Sequence, residues 1–198
     1  MKKIFNIAVV IIRRAGAYAD AKILGKTPYE YLTENICADS RFSVFEYDDE
    51  TLANGGSIPP ETDYTVKLYS DMPLVTKAEI IQIAEGMHKR RLTAVRIGDA
   101  HIYRPVQSGE PSELSILRDG FLSCGNPTSF QKIYELLRKK ILNNLLSAGV
   151  IIPDINSVTI DSCADIKAGT TVMPYTVIRG NTYIGFNNVI ESGCIIDA

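Results

Sequence analysis

Hydrophobic positions in the first two thirds of the chain alternate between strand-like and helix-like spacings. Ile7–Ile12 is a continuous apolar run typical of a buried strand, and Tyr64–Tyr69 alternates as a half-exposed strand. Further short strands are expected over 41–47, 92–97 and 100–103. Because helices lie between these strands, the pattern predicts an α/β layer.

Two of the helices are marked by capping boxes, in which a Thr and a Glu three residues later each bond a free backbone N–H group. Thr27-Pro28-Tyr29-Glu30 predicts a helix continuing over 29–36, and Thr76-Lys77-Ala78-Glu79 predicts another. The apolar face of the second helix would consist of Ile80, Ile83, Ala84 and Met87.

A third and longer helix is predicted to begin at Thr128 and to end at Gly149. Its apolar side chains recur on one helical face, and the basic residues 138–140 are expected to point away from that face. The expected apolar positions are Phe130, Tyr134, Leu137, Ile141, Leu145 and Ala148. We place a domain boundary at the end of this helix.

From residue 160 onward a β-branched aliphatic residue recurs every six positions. The series is Ile160, Ile166, Val172, Ile178, Ile184, Ile190 and Ile196. A small or compact residue follows four positions after each of the first six: Ala164, Thr170, Thr176, Thr182, Asn188 and Cys194. A period of six fits neither a helix nor simple strand alternation, and it predicts a parallel β-solenoid with the aliphatic side chains inside. The only histidines, His88 and His101, lie outside the repeat, which therefore offers no general base for acyl transfer.

Composition narrows the possible partners. The 198 residues include 21 basic and 23 acidic side chains, so charge gives no reason to expect a nucleic acid or an anionic membrane surface. No apolar run approaches the roughly 20 residues that span a bilayer. The four scattered cysteines lack CxxC spacing, which argues against a zinc site or a disulfide framework and favours a reducing, cytoplasmic location.

The first residues also loosely imitate a secretory signal, with Lys2-Lys3 before the apolar run and Ala17-Tyr18-Ala19 after it. Arg13 and Arg14 lie where such a signal should be uncharged. We therefore favour a buried first strand.

Three segments resemble one known family, the bifunctional N-acetylglucosamine-1-phosphate uridyltransferase/glucosamine-1-phosphate acetyltransferases. Residues 145–154, LLSAGVIIPD, look like the junction between its two domains. Residues 24–28, LGKTP, are similar to a GKP segment before its first long helix. Residues 69–76, YSDMPLVT, resemble its GDxPL motif, with Ser70 in place of the glycine.

The resemblance implies a reduced, Rossmann-like α/β nucleotidyltransferase domain over residues 1–127. A linker helix over 128–149 and an incomplete left-handed parallel β-helix of hexapeptide repeats over 150–198 would follow. It also implies a homotrimer assembled through the β-helix. The family's acetyltransferase residues lie on later coils, so no acetyltransferase site is expected. Because the sequence stops in mid-solenoid without a polar cap, we expect a shortened relative of the family. Its open end would either be covered by another chain or have been created by truncation.

In that family the aspartate of the GDxPL motif and an asparagine before the linker helix hold the catalytic Mg²⁺. The matching positions here are Asp71 and Asn126. An aspartate at the carboxyl end of a strand also suits ligand chemistry in α/β folds. The residues alone leave another interpretation open, in which Asp71 shapes a turn and Asn126 is a loop residue before Pro127.

The family's glycine-rich phosphate loop is degraded in this chain. After the first strand the sequence is RRAGAY, with one glycine and no GxGxR pattern. The weak candidates for nucleotide contacts are Arg13, Arg14, Gly16 and Lys22, although paired arginines near a strand end are often simply solvated.

Two hypotheses therefore stay open. The chain is either a divergent Mg²⁺-dependent uridyltransferase that acts on UTP and N-acetylglucosamine 1-phosphate, or a non-catalytic relative. The non-catalytic relative would be a sensor that binds UTP or a UDP-sugar, or a trimeric scaffold.

Overall fold

A computed structural model describes residues 5–37, 40–48, 62–104 and 113–198. The chain divides into two compact units. The first comprises the residues up to 21 together with 27–130, and the second comprises 22–26 together with 131–198. Residues 22–26 therefore belong with a segment more than a hundred positions later in the sequence.

The first unit is built on a six-stranded mixed sheet in the order β2-β1-β3-β5-β4-β6. The strands are β1 (Ile7–Arg13), β2 (Phe42–Asp48), β3 (Tyr64–Tyr69), β4 (Ala94–Ile97), β5 (Ala100–Tyr103) and β6 (Glu113–Ile116). Strands β1, β2 and β3 are mutually parallel, and β5 runs antiparallel to β3 and β4. The pattern predicts the first five strands but not β6, which pairs in parallel with β4.

Strand β1 is central among the parallel strands and is buried from Ile7 to Ile12. A strand flanked by neighbours and covered on both faces needs apolar side chains at every position, which explains the continuous run. From β1 the chain passes to β2 on one side and later returns as β3 on the other. The carboxyl ends of β1 and β3 therefore form a topological switch point, where open α/β sheets place ligands.

Two helices of the first unit begin at the predicted capping boxes. Helix α1 is Pro28–Ile36 and helix α2 is Lys77–Arg90. In both boxes the Thr side chain accepts a bond from the third helical N–H, and the Glu carboxylate accepts one from the Thr N–H. The predicted apolar face of α2 is confirmed, since its four residues are all buried.

Helix α3 extends over Pro127–Ser147, and Gly149 follows it with a φ of 90°. Its fully buried residues are Ile133, Leu137 and Leu142, so the buried face is rotated from the predicted one. The prediction for Arg138 was wrong. Its Nε and Nη2 atoms donate to the carbonyls of Val158 and Ile155, at 3.0 and 2.5 Å. This irregular segment supplies acceptors that no strand satisfies, and the guanidinium turns inward to meet them.

The rest of the second unit consists of short strands stacked in three parallel sheets. They are β7 (Thr159–Ile160), β8 (Asp165–Ile166), β9 (Thr171–Val172), β10 (Val177–Arg179), β11 (Tyr183–Ile184), β12 (Val189–Ile190) and β13 (Ile195–Asp197). The sheets are β13-β10-β7, β11-β8 and β12-β9. Thr159 pairs with Val177, and Val177 pairs with Ile195, so stacked positions are eighteen residues apart. Three six-residue steps thus complete one turn of the chain.

The interior of these coils holds the repeating aliphatic residues, which form one core with Leu142 and the partly buried Leu145 of α3. Thr170, Thr176 and Thr182 are buried, and each hydroxyl donates to a backbone carbonyl. A compact residue with a hydroxyl can therefore fill the corner and also satisfy a buried acceptor.

Within the described ranges, no helix combines the length and the apolar character needed to cross a membrane. The four cysteines are free thiols.

Candidate functional site

The carboxyl ends of β1 and β3 are tied together by backbone and side-chain hydrogen bonds. The amide of Ser70 donates to the carbonyl of Ile12 at 2.9 Å, and the amide of Arg14 donates to Ser70 Oγ at 2.9 Å. Arg14 and Asp71 are thereby brought side by side at the switch point. The side chain of Ser70, which replaces a glycine of the resembling motif, makes one of these two contacts.

Asp71 is only 2% exposed, although it carries a carboxylate. Its Oδ2 accepts a hydrogen bond from Ser123 Oγ at 2.5 Å, and its backbone carbonyl accepts one from the Cys124 amide at 2.9 Å. Its Oδ1 is buried and has no hydrogen-bond partner among the described residues. A buried carboxylate oxygen without a partner is costly, and a bound cation or a ligand donor would remove that cost.

Arg14 is a basic group beside this carboxylate. Its Nη1 lies 3.8 Å from Asp71 Oδ2 and 2.9 Å from Asp99 Oδ2, and its guanidinium carbon lies 3.4 Å from the centroid of the Tyr69 ring. Burial acts to lower the pKa of Arg14. The hydrogen bond to Asp99 and the nearby negative charges act in the other direction, and the pKa is raised overall. Arg14 is therefore a fixed positive charge at the site.

Cys124 lies beside the same carboxylate, in surroundings that disfavour the reactive thiolate. It is fully buried, and burial together with the charge of Asp71 raises the pKa of its thiol to about 12. A thiol that stays protonated at neutral pH neither attacks a substrate nor binds a metal effectively.

Asn126 has a structural role in the observed conformation. It is exposed, and its Oδ1 accepts a hydrogen bond from the amide of Ser129 at 2.9 Å, which caps the start of α3. The preceding Ser123 and Cys124 contact Asp71, so the chain segment of Asn126 does come to the site. No cluster of three or more His, Cys, Asp or Glu side chains suited to a metal exists in the described ranges.

The other nucleotide-contact candidates lie in different surroundings. The Arg13 guanidinium carbon is 3.6 Å from the centroid of the Tyr29 ring, and its Nη2 is 3.2 Å from Glu46 Oε2. The Tyr29 hydroxyl donates to the same carboxylate. Burial and that hydrogen bond raise the pKa of Tyr29. Gly16 is exposed, and its carbonyl accepts bonds from the amides of residues 19 and 20.

Lys22 is exposed and belongs to the second unit. Of the four candidates, Arg14 alone forms an ion pair with Asp71.

A cavity of about 400 Å³ opens beside this cluster in the first unit. Its lining residues are Arg13, Arg14, Ala15, Ala19, Asp20, Thr27, Tyr29, Asp48 and Ser70. Sequence reasoning missed Asp48, Asp99 and Ser123 as site residues. Asp48 carried a usable signal, because it is the last residue of β2, whose carboxyl end adjoins that of β1. Asp99 and Ser123 have no such signal in the sequence, because their roles depend on contacts between distant segments.

Comparison with known proteins shows a local similarity. No family model matches the chain. Over 64 residues it is 36% identical to the bifunctional protein GlmU of Trichormus variabilis and 33% identical to that of Cyanothece sp.. Each alignment covers 32% of this chain and 14% of the relative, so the similarity spans a small part of those proteins.

A solved structure, of CMP:2-keto-3-deoxy-manno-octonic acid synthetase complexed with CTP, superposes with a TM-score of 0.45 at 11% identity. The superposition covers 67% of this chain and 99% of that one.

Proposed function

We propose that this protein is a divergent relative of the sugar-1-phosphate nucleotidyltransferases and binds a nucleoside triphosphate or nucleotide sugar at the carboxyl ends of β1 and β3. The observation that carries the proposal is the buried Asp71, whose Oδ1 has no hydrogen-bond partner in the described part of the chain while Arg14 lies beside Oδ2. A carboxylate for a cation next to a fixed guanidinium for a phosphate is a suitable arrangement for a metal–nucleotide complex. The local similarity to GlmU supports the same class.

Magnesium fits the chemistry of Asp71. This ion commonly binds one or two carboxylates and completes its octahedron with water and substrate phosphates. Asp71 would supply the carboxylate, and Asn126 could contribute its amide oxygen, which accepts a single hydrogen bond in the helix cap. When bound, the ion would neutralise charge that develops on the phosphates.

The side chains of the protein would orient the reactants. Ser123 holds the Asp71 carboxylate in place, and Arg14 presents a planar set of N–H donors to a phosphate. The oxygen of a sugar 1-phosphate would attack the α-phosphorus of the triphosphate in line. The bond from that phosphorus to the bridging oxygen would break, and pyrophosphate would leave with the electron pair.

The test is pyrophosphate release from UTP and N-acetylglucosamine 1-phosphate, measured with Mg²⁺ and with a chelator. We expect a Mg²⁺-dependent rate in the wild type that Asp71→Ala lacks. Asp197→Asn, an exposed carboxylate in the second unit, is the matched control and should keep the wild-type rate. A wild-type rate no higher than that of Asp71→Ala would exclude catalysis.

A second candidate is a non-catalytic sensor of nucleotide sugars. It is favoured by the turn after β1, where the amides of Ala19 and Asp20 donate to the carbonyl of Gly16 and are not directed at a ligand. Calorimetry with UTP and UDP-N-acetylglucosamine separates the two functions. Binding without turnover supports a sensor, whereas the absence of binding leaves only a scaffold.

Whether the protein is an enzyme or a scaffold, we also propose that it forms a homotrimer through a left-handed β-helix. Large apolar side chains are exposed on the solenoid, among them Tyr175, Phe186, Val189 and Ile195. Exposed apolar side chains that form a contiguous patch are typical of association surfaces. Light scattering should give three times the 21.8 kDa chain mass, and a monomer mass would contradict the trimer.

A further inference from the structure

We propose that Asp48 binds the ribose hydroxyls of a nucleotide in the 400 Å³ cavity and so makes the site selective for ribonucleotides. This inference rests on the proposed function, because it assigns a place to the sugar of the nucleotide whose phosphates face Arg14. The cavity has the size of a small-ligand site. The family resemblance assigns no role to Asp48.

The position of Asp48 follows from the strand order. It ends β2 and pairs in register with Arg13 at the end of β1, while Ser70 and Asp71 follow β3 on the other side of β1. Neighbouring strands are about 4.8 Å apart, so the ends of β2 and β3 lie roughly 10 Å from each other. A ribose phosphate can extend across that distance with its sugar at β2 and its phosphates at β3.

The charged side chains of the cavity are also distributed from the end of β2 towards the end of β3. Asp20 and Asp48 both line it and are exposed, and neither carboxylate has an ion pair or a side-chain hydrogen bond within the described residues. Glu46 neutralises Arg13, which leaves the Asp48 side of the cavity acidic. An acidic wall repels phosphate, so the phosphates are directed to Arg14 and Ser70 on the opposite side.

The acidic Asp48 side of the cavity is suited to a ligand that donates hydrogen bonds through hydroxyl groups. An ionised carboxylate only accepts hydrogen bonds, and the vicinal 2′- and 3′-hydroxyls of a ribose offer two adjacent donors. In doubly wound sheets that bind dinucleotides, an acidic residue about 20 positions after the phosphate-binding turn bonds the ribose, while the phosphates lie at the end of the first strand. Asp48 lies further along the chain, and the likeness is that it ends a strand next to β1, beside the proposed phosphate position.

The experiment compares the binding of each of the four ribonucleoside triphosphates with that of its 2′-deoxy counterpart, by calorimetry in Mg²⁺. Inorganic triphosphate and N-acetylglucosamine 1-phosphate serve as ligands without a ribose. The variants are Asp48→Asn, Asp20→Asn and the control Asp197→Asn, with circular dichroism to check their folding. All three carboxylates are exposed, so the substitutions should leave the fold intact.

We expect the wild type to bind its preferred ribonucleotide about tenfold or more tightly than the 2′-deoxy form, as for a lost hydrogen bond to a charged group. Asp48→Asn should remove most of that preference without weakening the binding of triphosphate. Equal affinity for ribo and deoxy forms in the wild type would overturn the inference and leave the proposed function standing. Binding of N-acetylglucosamine 1-phosphate that is lost in Asp48→Asn, without ribose discrimination, would also overturn it. Absence of any nucleotide binding would overturn both.

Discussion

Arg14 and Asp99 lie 85 positions apart in sequence, yet their Nη1 and Oδ2 atoms form a 2.9 Å ion pair at the candidate site. Asp99 is on the hairpin between β4 and β5, and about half of its side chain is exposed. Its carboxylate therefore lies where a phosphate oxygen would contact the guanidinium. A phosphate has to displace Asp99 or share Arg14 with it.

Replacing Asp99 by Asn should strengthen the binding of inorganic pyrophosphate. The neutral amide competes less well for Arg14, and an exposed ion pair of this kind is worth up to about 1 kcal/mol, or roughly a fivefold gain in affinity. Calorimetric titration at low ionic strength measures the effect. Asp165→Asn is the matched control, because it breaks an ion pair of 2.8 Å with Lys167 in the second unit and should leave pyrophosphate affinity unchanged. Equal or weaker binding by Asp99→Asn would show that Asp99 does not compete with the anion.

Replacing Asp71 by Asn should abolish the thermal stabilisation that UTP and Mg²⁺ together confer on the wild type. Ligand at a hundred times its dissociation constant adds about 2.7 kcal/mol, which is readily visible as a shift in Tm. The unliganded variant should be no less stable than the wild type, since it loses a buried carboxylate whose Oδ1 has no hydrogen-bond partner among the residues that the structure describes. Scanning fluorimetry with and without a chelator checks both statements. A Mg²⁺-dependent shift in Tm as large in Asp71→Asn as in the wild type would show that this carboxylate does not bind the metal.

Cys124 should resist alkylation in the folded protein. Its thiol is buried and has a pKa raised to about 12, so iodoacetamide at pH 8 finds almost no thiolate there. Cys37 is exposed and serves as the internal control in the same sample. Peptide mass spectrometry should find Cys37 labelled in the native state and Cys124 labelled only after unfolding in guanidinium.

The same pKa shift gives a pH dependence with a definite sign. The folded state favours the protonated thiol, so this contribution to stability is complete below the ordinary pKa of 9.0 and is lost as the pH rises towards 12. Alkylation of native Cys124 at pH 8 as fast as that of Cys37 would contradict the burial.

Gly25→Ala should destabilise the second unit by about 1–2 kcal/mol. Gly25 has a φ of 89°, and a Cβ there would lie 3.2 Å from the side chain of Asp161, whose Oδ2 accepts a bond from the Gly180 amide. Gly16→Ala is the matched control, since a Cβ at that position meets nothing within 4 Å and φ is not positive. Chemical denaturation compares the two. Equal free energies of unfolding would exclude the predicted close contact.

Thr170→Val should cost about 1–3 kcal/mol although the side-chain shape is kept. The buried hydroxyl donates to the carbonyl of Gly185 at 2.7 Å and accepts from the amide of Asn188 at 3.3 Å, and valine leaves both groups without that partner. Thr171→Val is the matched control, because it makes the same substitution at the neighbouring half-exposed position and should cost little free energy of unfolding. Urea unfolding followed by circular dichroism measures the difference. A loss no larger in Thr170→Val than in Thr171→Val would contradict a role for the buried hydroxyl.

Local features of the fold were predicted best, for physical reasons that can be named. A capping box involves groups three residues apart, so Thr76 and Glu79 specify the start of α2 without help from the rest of the chain. Helix α3 was predicted in its extent but not in its buried face. Which side of a helix is buried depends on what packs against it, and Arg138 was drawn inward by carbonyls of a segment that follows the helix.

At the candidate site, too, the local sequence predicted some features, and others depended on contacts between distant segments. Asp71 was selected from its motif, but its burial, its bond to Ser123 and the ion pair between Arg14 and Asp99 required the strands to be assembled in order. The sequence by itself determined the alternation of strands and helices, the helix starts and the six-residue spacing, because near-neighbour sterics and hydrogen bonds set these. Only the tertiary structure decided which distant polar groups share one low-dielectric site, because those contacts come from strand order and packing, which leave no periodic trace in the sequence.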